Sequence, residues 1–268
     1  MIPTSSLDQG AAAHSRRRIV QGLAWSVPAV AASASAPAFA ASPRCFKTAA
    51  IVWSDLEYKR VDATSASYTT ADPDGTGPMV PLTLTIENTY KGSNIRFGRQ
   101  YGSANDNLAV QSGTVGGQTN PLVLHQAPVN NGAKSDSRND ANKTTTTFTF
   151  DRPVTNLTFT ITDIDSASSD FYDSVAVSSA SPFTTTKANS TQTGLNGSGT
   201  LADPWHPFSS NNPVPESGTN GNGTVRFAGE VTSFQIHYWN QTKAWSYGID
   251  GDQKIFISNL SLTYNACP

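Results

Sequence analysis

Apolar and polar residues alternate with a period of two along several parts of the chain. The alternation is clearest in residues 82–86 (LTLTI), 147–150 (TFTF), 157–161 (LTFTI) and 234–238 (FQIHY). Successive side chains of a β-strand point to opposite faces, so this period predicts strands with one buried face and one solvent face. The intervening threonines suit the solvent face because they are β-branched and polar. The pattern predicts an all-β fold.

Two details of the pattern predict how the strands are arranged. The apolar residues Ile255 and Ile257 occupy odd positions, whereas Leu260, Leu262 and Tyr264 occupy even positions. One extra residue at 258–259 would keep all of them on the same face, as a β-bulge does. Residues 150–159 and 227–236 share Phe, then Val-Thr, then two alternating apolar positions. Two copies are too few for a solenoid. We interpret them as equivalent corners of one antiparallel β-sandwich, a jelly roll with long loops.

The first 40 residues have the order of an export signal. Three arginines at 16–18 precede a mild apolar run that ends in Ala-Phe-Ala at 38–40, which matches the parts of a secretory signal peptide. Paired arginines favour twin-arginine export over general secretion. Polar residues and prolines interrupt the run, so it falls short of the roughly 20 apolar residues of a spanning helix. We expect cleavage after Ala40 and one secreted, bacterial β-sandwich domain at 41–268.

Charge and cysteine content fit an exported protein. The formal net charge is −2 and charged residues make up 14% of the chain, which favours neither nucleic acid nor an anionic membrane as a partner. No later stretch is apolar enough to span a membrane. The two cysteines, Cys45 and Cys267, are most simply a disulfide in an oxidising compartment. That bond would make the first and last strands neighbours.

Two segments carry a family likeness. Residues 148–177 contain RPVTNL followed by TDIDS, and residues 255–260 read IFISNL. Together they resemble jelly-roll modules of secreted bacterial surface proteins, whose broader fold relatives include galactose-binding-like, carbohydrate-binding modules. The resemblance implies a noncatalytic module that binds carbohydrate or a cell-envelope polymer.

An acidic turn is the candidate metal site. Its carboxylates are interleaved with serines, and calcium prefers six to eight oxygen ligands of this kind. The spacing does not match an EF-hand. The alternative is a solvated turn in which Asp and Ser bond to backbone groups. The candidate calcium ligands are Asp163, Asp165, Asp170 and Asp173.

An aromatic segment is the candidate glycan site. If Phe234 and Tyr238 face inward, Trp239 faces outward beside amide side chains, as a sugar-stacking platform would require. The alternative is that these rings cover a sheet edge. The candidate ligand-binding residues are Trp239, Asn240, Gln241, Trp245 and Tyr247.

The sequence offers little support for an enzyme. It contains no G-x-S-x-G, no H-E-x-x-H and no phosphate-binding glycine loop. A glycan-active hydrolase remains an alternative, because folding could bring two carboxyls together across a cleft. A structural envelope protein with a protein partner is the other alternative. The sequence favours a binding module without catalysis.

Overall fold

The computed structural model describes residues 45–92, 95–98, 105–128, 138–168, 170–188, 193–240 and 253–268. The predicted signal peptide lies outside them. Apart from a single-turn 3₁₀ helix (Asp140–Asn142), their regular elements are strands, and every pairing between named strands is antiparallel. No helix among these residues is long and apolar enough to cross a membrane. The predicted all-β fold is confirmed.

The strands are numbered in chain order. They are β1 (Phe46–Ile51), β2 (Tyr58–Arg60), β3 (Ser65–Thr69), β4 (Thr83–Tyr90), β5 (Ile95–Phe97), β6 (Thr114–Val115), β7 (Gln118–Thr119), β8 (Leu122–Pro128), β9 (Lys143–Thr162), β10 (Ser166–Ala167), β11 (Phe171–Ser178), β12 (Thr184–Lys187), β13 (Leu195–Asn196), β14 (His206–Pro207), β15 (Gly223–Arg226), β16 (Val231–Asn240), β17 (Gln253–Ile257) and β18 (Leu260–Asn265).

Strand β9 belongs to both layers of the sandwich. Its residues 143–150 pair with β4 and β16, and they form a first sheet in the order β2-β3-β4-β9-β16-β11-β10. Its residues 154–162 pair with β15 on one side and with β18 and β17 on the other. The second sheet therefore begins with β12, β15 and β9. On the far side of β9 it has two branches, one formed by β18 and β1 and the other by β17, β8 and β5.

Two residues of β9 explain how one strand changes layer. Pro153 has no N–H to donate to a ladder, and the pairing with β16 is irregular at this point. Asn156 has φ +54. Beside it, the three steps from Thr155 to Thr158 face only two steps of β18. The extra residue is a β-bulge, and it turns Leu157 into the core.

The two layers meet at a cluster of phenylalanine rings. Phe234 of β16 stacks on Phe148 of the same sheet with centroids 4.7 Å apart. The same ring contacts Phe159 at 4.8 Å and Phe227 at 5.9 Å, and both of these belong to the second sheet or follow it directly. All four rings are buried. Each stabilises the fold by about 2–3 kcal/mol through burial of apolar surface.

The predicted phase change at 258–259 is present, but as a break between two strands and not as a β-bulge within one strand. Strand β17 ends at Ile257 and β18 begins at Leu260, and both side chains lie in the same core cluster. Trp53 fills the break, because its indole Nε1 donates to the carbonyl oxygens of Ile257 at 3.0 Å and Ser258 at 2.9 Å. Its backbone N–H donates to Asn259 Oδ1 at 3.1 Å.

A long loop is packed against β11 through Trp205. This ring is fully buried, and the backbones of Trp205 and Val175 form a reciprocal bridge. Gly199 and Gly223 face the ring, and an added Cβ at either position would lie 2.5 Å from it. The close approach therefore requires glycine at both positions.

The predicted disulfide is confirmed. Cys45 and Cys267 are bonded, with Cα atoms 5.1 Å apart and a sequence separation of 222. Strand β1 pairs with β18 from Phe46 opposite Asn265 to Ile51 opposite Leu260. Closing so long a loop restricts the unfolded chain more than the folded one.

Replacing both cysteines, as in Cys45→Ser with Cys267→Ser, should lower the free energy of unfolding by about 3–5 kcal/mol. The fold should remain, because the backbone pairs between β1 and β18 do not need the bond. Urea unfolding followed by tryptophan fluorescence measures the change. An unaltered free energy of unfolding would show that the bond contributes nothing to stability.

Candidate functional site

A groove of about 480 Å³ opens on the outer face of the second sheet. Its volume lies within the range of small-ligand sites. Three separate chain segments form it, from β9, from the start of β12, and from the end of β15. The lining residues are Asn156, Thr158, Pro182, Phe183, Thr184, Arg226, Phe227, Ala228 and Gly229.

The sheet register places the polar side chains of the groove. Thr184 pairs with Arg226, and Arg226 pairs with Thr158, so the three side chains form one row across β12, β15 and β9. Directly paired residues of antiparallel strands lie on the same face. Arg226 is exposed between the buried Val225 and Phe227, which identifies this face as the outer one.

One wall of the groove is aromatic. Phe183 is half-buried and packs against Phe227 with ring centroids 5.4 Å apart. This contact fixes the position of the ring while leaving part of it accessible. A Cβ added at Gly229 would meet no atom within 4 Å, so the groove is open on that side.

No pattern in the sequence marks this groove as a binding site. It is lined by Asn156, Thr158, residues 182–184 and residues 226–229. The RPVTNL motif and the repeated corner pattern include some of these positions, but they indicate strands and not a ligand site. Arg226 alternates with Val225 as any outward polar residue of a strand would. Only the pairing of β12, β15 and β9 brings the segments together.

Two residues of the predicted glycan platform, Trp239 and Asn240, lie in the described part of the chain. The inward orientation of Phe234 and Tyr238 is as predicted, but the expectation that Trp239 is exposed is wrong, because Trp239 is only 6% exposed. Its ring is tilted against His237 at 5.9 Å, and Lys143 Nζ lies 5.4 Å from its centroid.

The other members of the predicted platform are not brought together in the described residues. Asn240 is fully buried, and neither polar atom of its amide has a hydrogen-bond partner among the residues that the structure describes. It pairs with Asp173 across β16 and β11. Gln241, Trp245 and Tyr247 lie outside the described residues.

His237 forms a polar cluster on the outer face of the first sheet. Its Nε2 lies 2.8 Å from Ser178 Oγ, and its Nδ1 lies 3.3 Å from Thr145 Oγ1. This resembles the contact between a nucleophile and its base. However, burial, together with the nearby Lys143, lowers the pKa of His237 to about 4. So weak a base suits hydrogen bonding better than proton abstraction.

Asp173 joins the predicted metal ligands to the core. Its carboxylate is fully buried, and its Oδ1 accepts from Tyr238 Oη at 2.9 Å and Gln253 Nε2 at 2.6 Å. Its Oδ2 accepts from the backbone N–H of Asp165 at 3.1 Å. Burial, reinforced by the charge of Asp165, raises the pKa of Asp173 well above its usual value.

Asp163 and Asp165 lie at the loop that follows β9. Burial is the main cause that raises the pKa of Asp163 to about 7, and the charges of Asp165 and Glu216 add to it. Burial also raises the pKa of Asp165 to about 6. Asp165 Oδ2 accepts from the backbone N–H of Val214 at 2.7 Å, so this carboxylate ties the long loop to the sheet.

The carboxylates do not form a converged metal centre. No group of three or more His, Cys, Asp or Glu side chains is placed to hold a metal ion in the parts of the chain that the structure describes. Asp173 already accepts three hydrogen bonds, and Asp170 belongs to the turn after Ala167. Calcium binding by these residues stays a prediction.

Comparison with known proteins finds no matching family model, no matching curated protein and no matching solved structure.

Stability should fall as pH rises from 4 to 8. Asp163, Asp165 and Asp173 have folded-state pKa values raised above their unfolded values, so the folded chain binds more protons in this range. The contributions of Asp165 and Asp163 are complete below about pH 4 and are lost as pH rises through about 6 and about 7, respectively. At 1.36 kcal/mol per pKa unit, the rise in the pKa of Asp163 from 3.8 to about 7 corresponds to roughly 4 kcal/mol.

Urea unfolding at each pH measures this slope, and Asp163→Asn should flatten it. Asp203→Asn changes an exposed carboxylate and serves as the control. A slope that Asp163→Asn leaves unchanged would contradict the assignment. Repeating the series in calcium and in EDTA tests the metal prediction, since a ligand of the folded state alone must raise its stability.

Proposed function

We propose that this chain is a secreted, noncatalytic module that binds carbohydrate or a cell-envelope polymer in the groove beside Phe183 and Arg226. The observation that carries the proposal is the lining of this groove. An accessible aromatic ring stands next to a row of hydroxyl and guanidinium groups in one concave surface.

That combination matches the chemistry of a sugar. A pyranose ring has apolar C–H faces that can stack on an aromatic side chain and hydroxyls around its edge that need donors and acceptors. Phe183 supplies the apolar face. Thr158, Thr184 and Asn156 supply both donors and acceptors, and Arg226 supplies donors.

The groove favours binding over hydrolysis. A glycoside hydrolase of the usual kind needs two carboxyl groups about 5–10 Å apart across the sugar. The groove residues that the structure describes include no acidic side chain. The surface can hold a glycan, but it supplies no general acid.

The proposal includes secretion of the protein, which two features support. A disulfide forms and persists in oxidising compartments, and Cys45 and Cys267 are bonded. The arginines at 16–18 and the small residues at 38–40 agree with twin-arginine export. The resemblance to jelly-roll modules of bacterial surface proteins supports the same conclusion.

The ring of Phe183 should dominate binding. Phe183→Ala should weaken binding to any retained glycan at least tenfold, because central aromatic contacts carry much of the energy of a site. A glycan array followed by calorimetry on the positive ligands measures this. Thermal unfolding of each variant confirms that it is folded.

Phe208→Ala is the matched control, because Phe208 is 39% exposed and does not line the groove. It should leave affinity unchanged. If the unaltered protein and the Phe183→Ala variant bind the glycan with equal affinity, the binding site lies elsewhere. Retention of a protein partner without any glycan binding would favour the structural alternative.

A further inference from the structure

Arg226 has an uncompensated charge. Within the described part of the chain, its guanidinium has no hydrogen bond and no ion pair. Arg152 provides the contrast, because its Nε and Nη2 donate to the Asp151 carboxylate at 3.3 Å and 3.0 Å. Arg60 is likewise bonded, to the carbonyl oxygens of Asn107 and Asn105.

The surroundings of Arg226 are neutral. It is the one charged residue among those that line the described groove, and the residues paired with it on either side are Thr158 and Thr184. Nothing in this lining neutralises the guanidinium. The groove therefore presents one fixed positive charge beside the aromatic wall of Phe183.

A guanidinium in this position selects for an anion. Its planar fork of N–H donors matches the two oxygens of a carboxylate or a phosphate, and it is more weakly hydrated than an ammonium. Flanking hydroxyls can bond to neighbouring oxygens of the same ligand. A neutral sugar would leave the strongest donor of the groove without its best partner.

We propose that the groove recognises an acidic saccharide, a sugar unit that carries a carboxylate or a phosphate, with Arg226 bound to the anionic group and Phe183 against the ring. This inference rests on the proposed carbohydrate function and names the substrate class of the same site.

A second row of hydroxyls suits a polymer. Thr186 pairs with Thr224, and Thr224 pairs with Thr160, which places them next to the row that contains Arg226. Thr160 Oγ1 and Thr224 Oγ1 lie 2.9 Å apart. An acidic polysaccharide bound at Arg226 can continue across these hydroxyls.

The test compares ligands that differ in charge alone. Tetragalacturonic acid and its methyl ester have the same sugar rings, and an oligosaccharide phosphorylated on its sugar rings provides the phosphate arm. At low ionic strength, calorimetry should show the acid or the phosphate binding about tenfold more tightly than the ester. The preference should shrink as salt screens the pair.

Variants assign the preference to one side chain. Arg226→Gln should make the acid and the ester bind equally, and Arg226→Lys should keep part of the preference because it keeps the charge but loses the fork. Arg152→Gln removes an arginine that already has a partner and should change nothing. Thermal unfolding verifies that each variant is folded.

The outcomes separate the two proposals. Equal binding of acid, phosphate and ester, or a preference that survives Arg226→Gln, overturns the acidic-saccharide inference. If the ester still binds and Phe183→Ala abolishes its binding, the proposed carbohydrate function holds even though the acidic-saccharide inference fails. If none of the three ligands binds, the inference fails, and the neutral members of the glycan array decide the proposed function.

Discussion

The fold depends on β9 serving both sheets. Its first half pairs with β4 and β16, and its second half pairs with β15, β17 and β18. The bulge at Asn156 keeps Leu157 and Phe159 in the core after the change of layer. The same bulge sets Thr158 on the outer face beside Arg226. A candidate binding surface therefore follows from the way one strand crosses between layers.

The two ends of the interior differ in chemistry. At one end, phenylalanine rings join the layers. At the other, Thr144 donates to Gln126, Gln126 donates to Gln253, and Gln253 donates to Asp173, so side-chain hydrogen bonds link the first sheet to the second. Buried polar networks fix a unique arrangement when their members are satisfied. The raised pKa values of the nearby carboxyls are the electrostatic cost of this arrangement.

Much of the framework can be read from the sequence. Alternation identifies β4, β9 and β16, the change of phase identifies the break between β17 and β18, and two cysteines identify the neighbouring termini. Residues 150–159 and 227–236 were interpreted as equivalent corners. In the structure, Val154 pairs with Val231, and both segments pass between layers, although the first does so within one continuous strand.

The candidate site could not be predicted in the same way. Alternation gives the face of Trp239 but not its burial, which depends on His237 and on Lys143 from another strand. The groove depends on three segments that are distant in sequence. An unpaired arginine has no sequence signal, because its lack of a partner is a property of the folded surface.

The most direct test of the account is the location of bound glycan. Amide chemical shifts of the isotope-labelled protein, recorded during titration with a ligand from the glycan array, report this location residue by residue. Binding in the groove should produce shifts that centre on Thr158, Thr184 and Ala228. Shifts confined to the surroundings of Gln235 and His237, or no shifts at saturating ligand, would contradict it.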